Sequence, residues 1–119
     1  MKALLDTNIV IDALNGRAEA KAVLESYESH ISILTYIEVL AGIAKHGHGD
    51  LVKQGLAAFI ILGLDQPIGD LAASVRSEKK LKLPDAIIYA TAKAHGLLLI
   101  TRDTKSFSKD DPQVRVPYS

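Results

Sequence analysis

Short apolar runs alternate with segments of helical periodicity along this chain, and that alternation restricts its fold more than any single residue does. Lys2 to Leu5 is apolar on both faces and reads as a buried strand. His30 to Leu34 carries β-branched residues and reads as a second, Ile60 to Leu64 as a third and Leu97 to Thr101 as a fourth, while Val114 to Val116 is short enough to add only an edge. Between them, Ile9, Val10, Ala13 and Leu14 recur at helical spacing until Asn15-Gly16 stops the helix. Arg17 to Tyr27 turns Ala20, Val23 and Leu24 inward, and Thr35 to Lys45 is expected to do the same with Ile37, Leu40, Ala41 and Ala44. His46-Gly47-His48-Gly49 reads as a loop, after which Asp50 caps a helix running to about Phe59. Asp65-Gln66-Pro67 opens a helix to about Lys80, and Pro84 starts another that reaches Ala94 and ends at His95-Gly96. Strands separated by helices predict a three-layer α/β/α sandwich around a mainly parallel sheet of four to five strands.

The 119 residues suit one domain, with a core but no room for two. A 48% hydrophobic fraction beside 24% charged residues argues against disorder. With no cysteine, disulfides, thiolate zinc sites and cysteine nucleophiles are excluded. Fourteen basic side chains balance fourteen acidic ones, so any nucleic-acid contact requires a local patch. The longest apolar stretch, Leu56 to Leu64, is far short of the roughly 20 residues of a membrane helix. Asp6 and Asp12 interrupt what would be a signal peptide's core, so the expected location is the cytoplasm, with no membrane contact.

Four acids stand at turning points of this pattern: Asp6 after the first strand, Glu38 early in a helix, Asp85 behind Pro84, and Asp103 after the fourth strand. Each has a local explanation. Asp6 suits an N-cap, Thr35-x-x-Glu38 matches a capping box, Asp85 meets a helix macrodipole, and Asp103 suits a turn. A parallel sheet, however, collects such positions at the carboxyl ends of its strands, where ligands bind. Carboxylates brought together repel, and a cation relieves the repulsion without neutralising them. Removing one charge is accordingly expected to stabilise the metal-free fold. Oxygen donors without thiolate suit magnesium or manganese, and such a site fits metal-assisted hydrolysis of a phosphodiester.

Asp6-Thr7-Asn8 after an N-terminal strand, Thr35-x-x-Glu38, Leu83-Pro84-Asp85-Ala86, and Thr101-Arg102-Asp103 with Phe107 resemble the PIN-domain ribonucleases, above all the VapC-type toxins of toxin–antitoxin pairs. The resemblance runs from Lys2 to about Phe107. It implies a Mg2+- or Mn2+-dependent endoribonuclease whose acidic quartet falls on Asp6, Glu38, Asp85 and Asp103, with RNA as substrate, a cognate antitoxin and a homodimer. Asp6, Asp85 and Asp103 are then the metal ligands. Glu38 either joins them or deprotonates the attacking water, and Thr7, Asn8 and Thr101 orient carboxylates or waters.

Basic residues near these acids are candidates for RNA phosphate contacts: Arg76, Lys79, Lys80 and Lys82 in the run leading to Asp85, and Arg102 and Lys105 around Asp103. A solvated helix end is the plain reading of the first group. His46 and His48 read as surface loop rather than metal ligands, and Tyr36 and Tyr89 as packing residues with polar tips rather than base-stacking platforms. Two other functions fit the architecture. One is a receiver-like signalling module phosphorylated on Asp65, which closes an apolar strand; the other is a catalytically inactive PIN fold that only binds.

Overall fold

The computed structural model describes residues 1–44 and 49–119, so the reading of His46 and His48 lies outside the described residues. Five strands, β1 (Lys2–Leu5), β2 (Glu28–Ser32), β3 (Ile60–Leu62), β4 (Leu98–Ile100) and β5 (Val114–Arg115), form one sheet of order β3-β2-β1-β4-β5. Every pairing is parallel. Around it lie α1 (Thr7–Leu14), α2 (Ala18–Ser26), α3 (Ile33–Ala44), α4 (Gly49–Leu56), α5 (Gln66–Lys79) and α6 (Leu83–Ala94). The chain builds outward from β1 to β3, then returns to lay β4 on the other side of β1. That reversal puts a topological switch point between β1 and β4, where crevices open in such sheets.

Because successive strand residues face opposite sides, a sheet covered on both faces needs apolar residues at every position. β1 meets that demand: Ala3 and Leu5 pack with α1 to α4, while Leu4 packs with α5 and α6, all three with no solvent exposure. Leu99 and Ile100 divide between the same two cores. This is the three-layer sandwich expected from the sequence. Helix ends follow local chemistry, as Gly16 (φ 85°) and Gly96 (φ 65°) supply left-handed backbone after α1 and α6.

The differences from the sequence reading have physical causes. β2 begins two residues before His30, because pairing of Lys2 with Glu28 recruits polar residues that carry no strand signal of their own. It also ends early, since the Ser32 hydroxyl accepts from the Leu34 N–H (3.1 Å) and turns the chain into α3 at Ile33. Thr35 therefore lies inside the helix, and the expected capping box does not form. α3 is also rotated from the expected phase: Thr35 and Val39 are buried whereas Ile37 (54% exposed) and Ala41 face out. Asp50 lies in the first turn of α4 rather than at its cap, and that helix ends at Leu56.

Asp65 sits beyond the edge strand β3 and caps α5, its carboxylate accepting from the Ile68 N–H at 3.0 Å. An edge-strand cap is not the central position a phosphoacceptor would take at the switch point, which removes the basis for the receiver-like alternative. Asp65→Ala is expected to cost about 1 kcal/mol of stability and Asp65→Asn much less. Urea denaturation checks this; equal losses would mean the cap bond contributes nothing.

Candidate active site

β1 and β4 end side by side, with the Asp6 N–H donating to the Ile100 carbonyl at 2.9 Å. Asp6, at the N-cap of α1, is therefore set against Thr101, and both are buried. One Asp6 oxygen accepts from the Thr7 N–H (2.8 Å). The other accepts from the Thr101 hydroxyl (2.8 Å) and the Asn8 amide (3.2 Å). Thr101 in turn accepts from the Asp103 N–H (3.0 Å), so one threonine links the first and last acids of the sequence. Asp103 Oδ1 accepts from the N–H groups of Lys105 and Ser106, each at 3.1 Å, and thereby closes a turn. The Ser106 side chain lies near both Asp103 and Asp85 and lowers the pKa of each, and Asp85 stands in the first turn of α6. Glu38 is exposed and joins the group through Thr7, whose hydroxyl donates to Oε1 at 3.0 Å and lies 3.0 Å from the Thr35 hydroxyl.

The three aspartates feel one another unequally. Burial pushes the Asp6 carboxyl from its ordinary 3.8 up to about 6, against the Thr101 and Thr7 hydrogen bonds and with added repulsion from Asp85 and Asp103. Asp85 is raised, by burial first and by Asp103, while Ser106 and Lys82 oppose the shift. Burial would raise Asp103 too, but the donors from Ser106 and Lys105 outweigh it and hold the group below its usual range. By these directions, removing the charge should favour the metal-free fold at Asp6 and at Asp85 but not at Asp103.

A raised folded-state pKa contributes stability that is fully present below 3.8 and is lost as pH rises through about 6. For Asp6 the whole effect is roughly 3 kcal/mol. Asp12, Asp103 and Asp111 are lowered, so their contributions are present above the ordinary value and fade only below it. Between about pH 4 and pH 6.5 the metal-free protein should thus lose stability with rising pH, and Asp6→Asn should flatten most of that slope. Denaturation midpoints taken across this range test it; parallel curves would assign the slope to other groups.

The PIN domain family profile matches residues 3–111. The chain belongs to the PIN-domain family. This PIN domain is 30% identical to Toxin FitB of Neisseria gonorrhoeae over 135 residues, covering 97% of each protein. It is 27% identical to Ribonuclease VapC4 of Mycobacterium tuberculosis, with 95% of each covered. Among solved structures, it superposes on a toxin–antitoxin complex from Klebsiella pneumoniae with a TM-score of 0.93 and 45% identity, covering 99% of both chains.

The PIN domain's acids fit a hard divalent ion by their chemistry. All the candidate ligand atoms are oxygens, and among the described residues the buried Asp6 carboxylate meets only neutral hydrogen-bond donors. Each carboxylate with a hydrogen bond here is turned onto a neighbouring donor. Among the described residues no three Asp, Glu or His side chains are gathered into a group that would hold an ion. No helix among them is long and apolar enough to cross a membrane.

The basic candidates separate by partner. Lys82 and Lys105 act on Asp85 and Asp103, whereas Lys79 is drawn to Asp111 (3.4 Å) and lies over the Tyr89 ring. Arg76 lines a groove between α5 and α6 with Leu83 and Ile87, and Lys80 is the left-handed C-cap of α5. Arg102 is held by Asp12. Tyr89 is packing: it stacks on Phe107 and donates to Asp111 at 2.7 Å. Tyr36 packs against the core on the α1 to α4 side. Sequence reasoning missed Ser106 and Asp12. For Asp12 a signal existed, since Asn8 and Asp12 are four apart on one face of α1, a polar pair in a helix apolar elsewhere beyond Thr7.

Proposed function

We propose that this PIN domain is a metal-dependent endoribonuclease and the toxin of a toxin–antitoxin pair. The observation that carries the reading is the buried Asp6 carboxylate, which has no cationic partner among the described residues and sits beside Thr101, with Asp85 and Asp103 in electrostatic reach. The likeness to proteins named Toxin FitB and Ribonuclease VapC4 supplies the activity and the biological role. Asp6, Asp85 and Asp103 would hold Mg2+ or Mn2+. When bound, such an ion lowers the pKa of water and neutralises charge on phosphate oxygens.

The chain's own residues do the rest. Thr101 and Asn8 fix the Asp6 carboxylate, and the Ser106 side chain favours the charged forms of Asp85 and Asp103. Glu38, exposed and oriented by the Thr7 hydroxyl, accepts the proton of the attacking water. Lys82 and Lys105 steer RNA phosphates toward the acids. The antitoxin partner rests on likeness to the Klebsiella pneumoniae complex. A homodimer is supported by the groove of Leu64, Ala72, Ala73, Leu83 and Ile87, whose Leu64 and Leu83 are half exposed.

The test is cleavage of RNA by the purified chain with Mg2+ or Mn2+ and with chelator, the products being sequenced from their ends. Cuts at defined positions that need metal support the reading. Undiminished cleavage in chelator, or none under any condition, defeats it.

A further inference from the structure

Arg102 stands between two residues of the acidic site, Thr101 and Asp103, yet its side chain points away from that site. The guanidinium grips Asp12 with two hydrogen bonds, Nε to Oδ2 at 2.7 Å and Nη2 to Oδ1 at 3.2 Å. Such paired bonds between planar groups fix direction as well as charge. Asp12 is itself nearly buried (9% exposed) in the middle of α1. It also accepts the Tyr118 hydroxyl at 2.8 Å and lies 3.6 Å from Arg17, whose guanidinium covers the Tyr118 ring. One turn earlier on the same helix face, the Asn8 carbonyl oxygen accepts the Arg102 N–H at 3.3 Å. Two side chains of α1 thus hold both backbone and side chain of the residue preceding Asp103.

We propose that Asp12 is a positioning residue of the acidic site, anchoring the Asp103 turn through Arg102 and keeping that arginine's charge off the carboxylates. Burial does not hold Arg102 in place, because its side chain is 39% exposed. Released from Asp12, a long cationic side chain beside Asp103 would find its nearest free anions in the site and compete there with a divalent ion. Sequestering the arginine leaves the site with a net negative field, which attracts the metal, while Lys82 and Lys105 remain to meet phosphate.

The affinity part of the inference rests on the metal reading above; the anchoring part does not. The test uses the full chain as wild type, Asp12→Asn, Arg102→Gln, Arg102→Lys and the Asp12→Asn/Arg102→Gln double variant. Two quantities are measured: Mn2+ affinity by calorimetry and amide exchange at Lys105 and Ser106 by NMR. Asp12→Asn is expected to weaken Mn2+ binding about tenfold or more, and the double variant to bind like Arg102→Gln, tighter than Asp12→Asn. Arg102→Lys keeps a charge without the paired grip, so it should bind Mn2+ more weakly than Arg102→Gln even if Asp12→Asn fails to fold. A double variant as weak as Asp12→Asn, or equal affinities for the Lys and Gln variants, overturns charge sequestration. If the wild type binds no Mn2+, the metal reading fails, and exchange alone decides the anchoring. Faster exchange at Lys105 and Ser106 in Asp12→Asn, or in Arg102→Lys if that variant alone folds, supports it; unchanged exchange overturns it.

Discussion

Asp6→Asn is expected to reduce metal-dependent RNA cleavage by at least about 100-fold, the upper end of what losing even an outer-shell partner of a metal costs. Shape is conserved, so the loss would come from charge. The same change should leave the metal-free protein about 1 kcal/mol more stable near neutral pH. Relief of the buried charge is favourable by roughly 3 kcal/mol. Against it stand the hydrogen bonds that an amide cannot keep. Asparagine retains an oxygen for the Thr7 N–H, and the Thr101 hydroxyl can reverse to accept, but the Asn8 amide would then face a second N–H donor. Each compromised bond offsets roughly 1 kcal/mol. Single-turnover cleavage rates and urea denaturation on the same preparations check both halves. A variant that is inactive because it is unfolded would contradict the second half, and one that cleaves normally would remove Asp6 from the site.

Asp103→Asn should separate a ligand from a turn former. At metal concentrations 100 times the dissociation constant, binding stabilises the wild type by about 2.7 kcal/mol. A variant lacking one ligand binds more weakly and should forfeit a large part of that gain. Without metal the variant is expected to be slightly less stable than the wild type. Its carboxylate is favoured in the fold by Ser106 and Lys105, although asparagine can still accept their N–H groups. Melting curves of both proteins with and without Mg2+ give the comparison. Equal metal-induced shifts would leave Asp103 its turn and nothing more.

Three of the acids show how a local signal and a site can coincide. Asp6 does cap α1, Asp85 does occupy the first turn of α6, and Asp103 does close a turn, as short-range chemistry requires. Those roles depend on backbone groups within a few residues, so they are legible in the sequence. The same holds for elements such as β1, α6 and β4, whose apolar runs are bounded by Asp6, Pro84 or Gly96. Glu38 is the counterexample. Its spacing from Thr35 suggests a capping box, but Ser32 starts the helix first and leaves Glu38 to accept from Thr7 on α1.

By itself, then, the chain's order of residues determined which segments become strands and helices, and which acids end up at their ends. Only the tertiary structure decided that β4 returns beside β1, and with it everything that depends on that neighbour. Thr101 meets Asp6 across 95 positions, Arg102 meets Asp12 across 90, and Tyr118 meets Asp12 across 106. None of these pairs has a sequence signature, because hydrogen bonds between distant residues are selected by sheet order and not by local backbone preference. The electrostatics follow the same division: identical aspartates diverge, Asp6 raised by burial and Asp103 lowered by its donors, because desolvation and hydrogen bonding are properties of the packed environment.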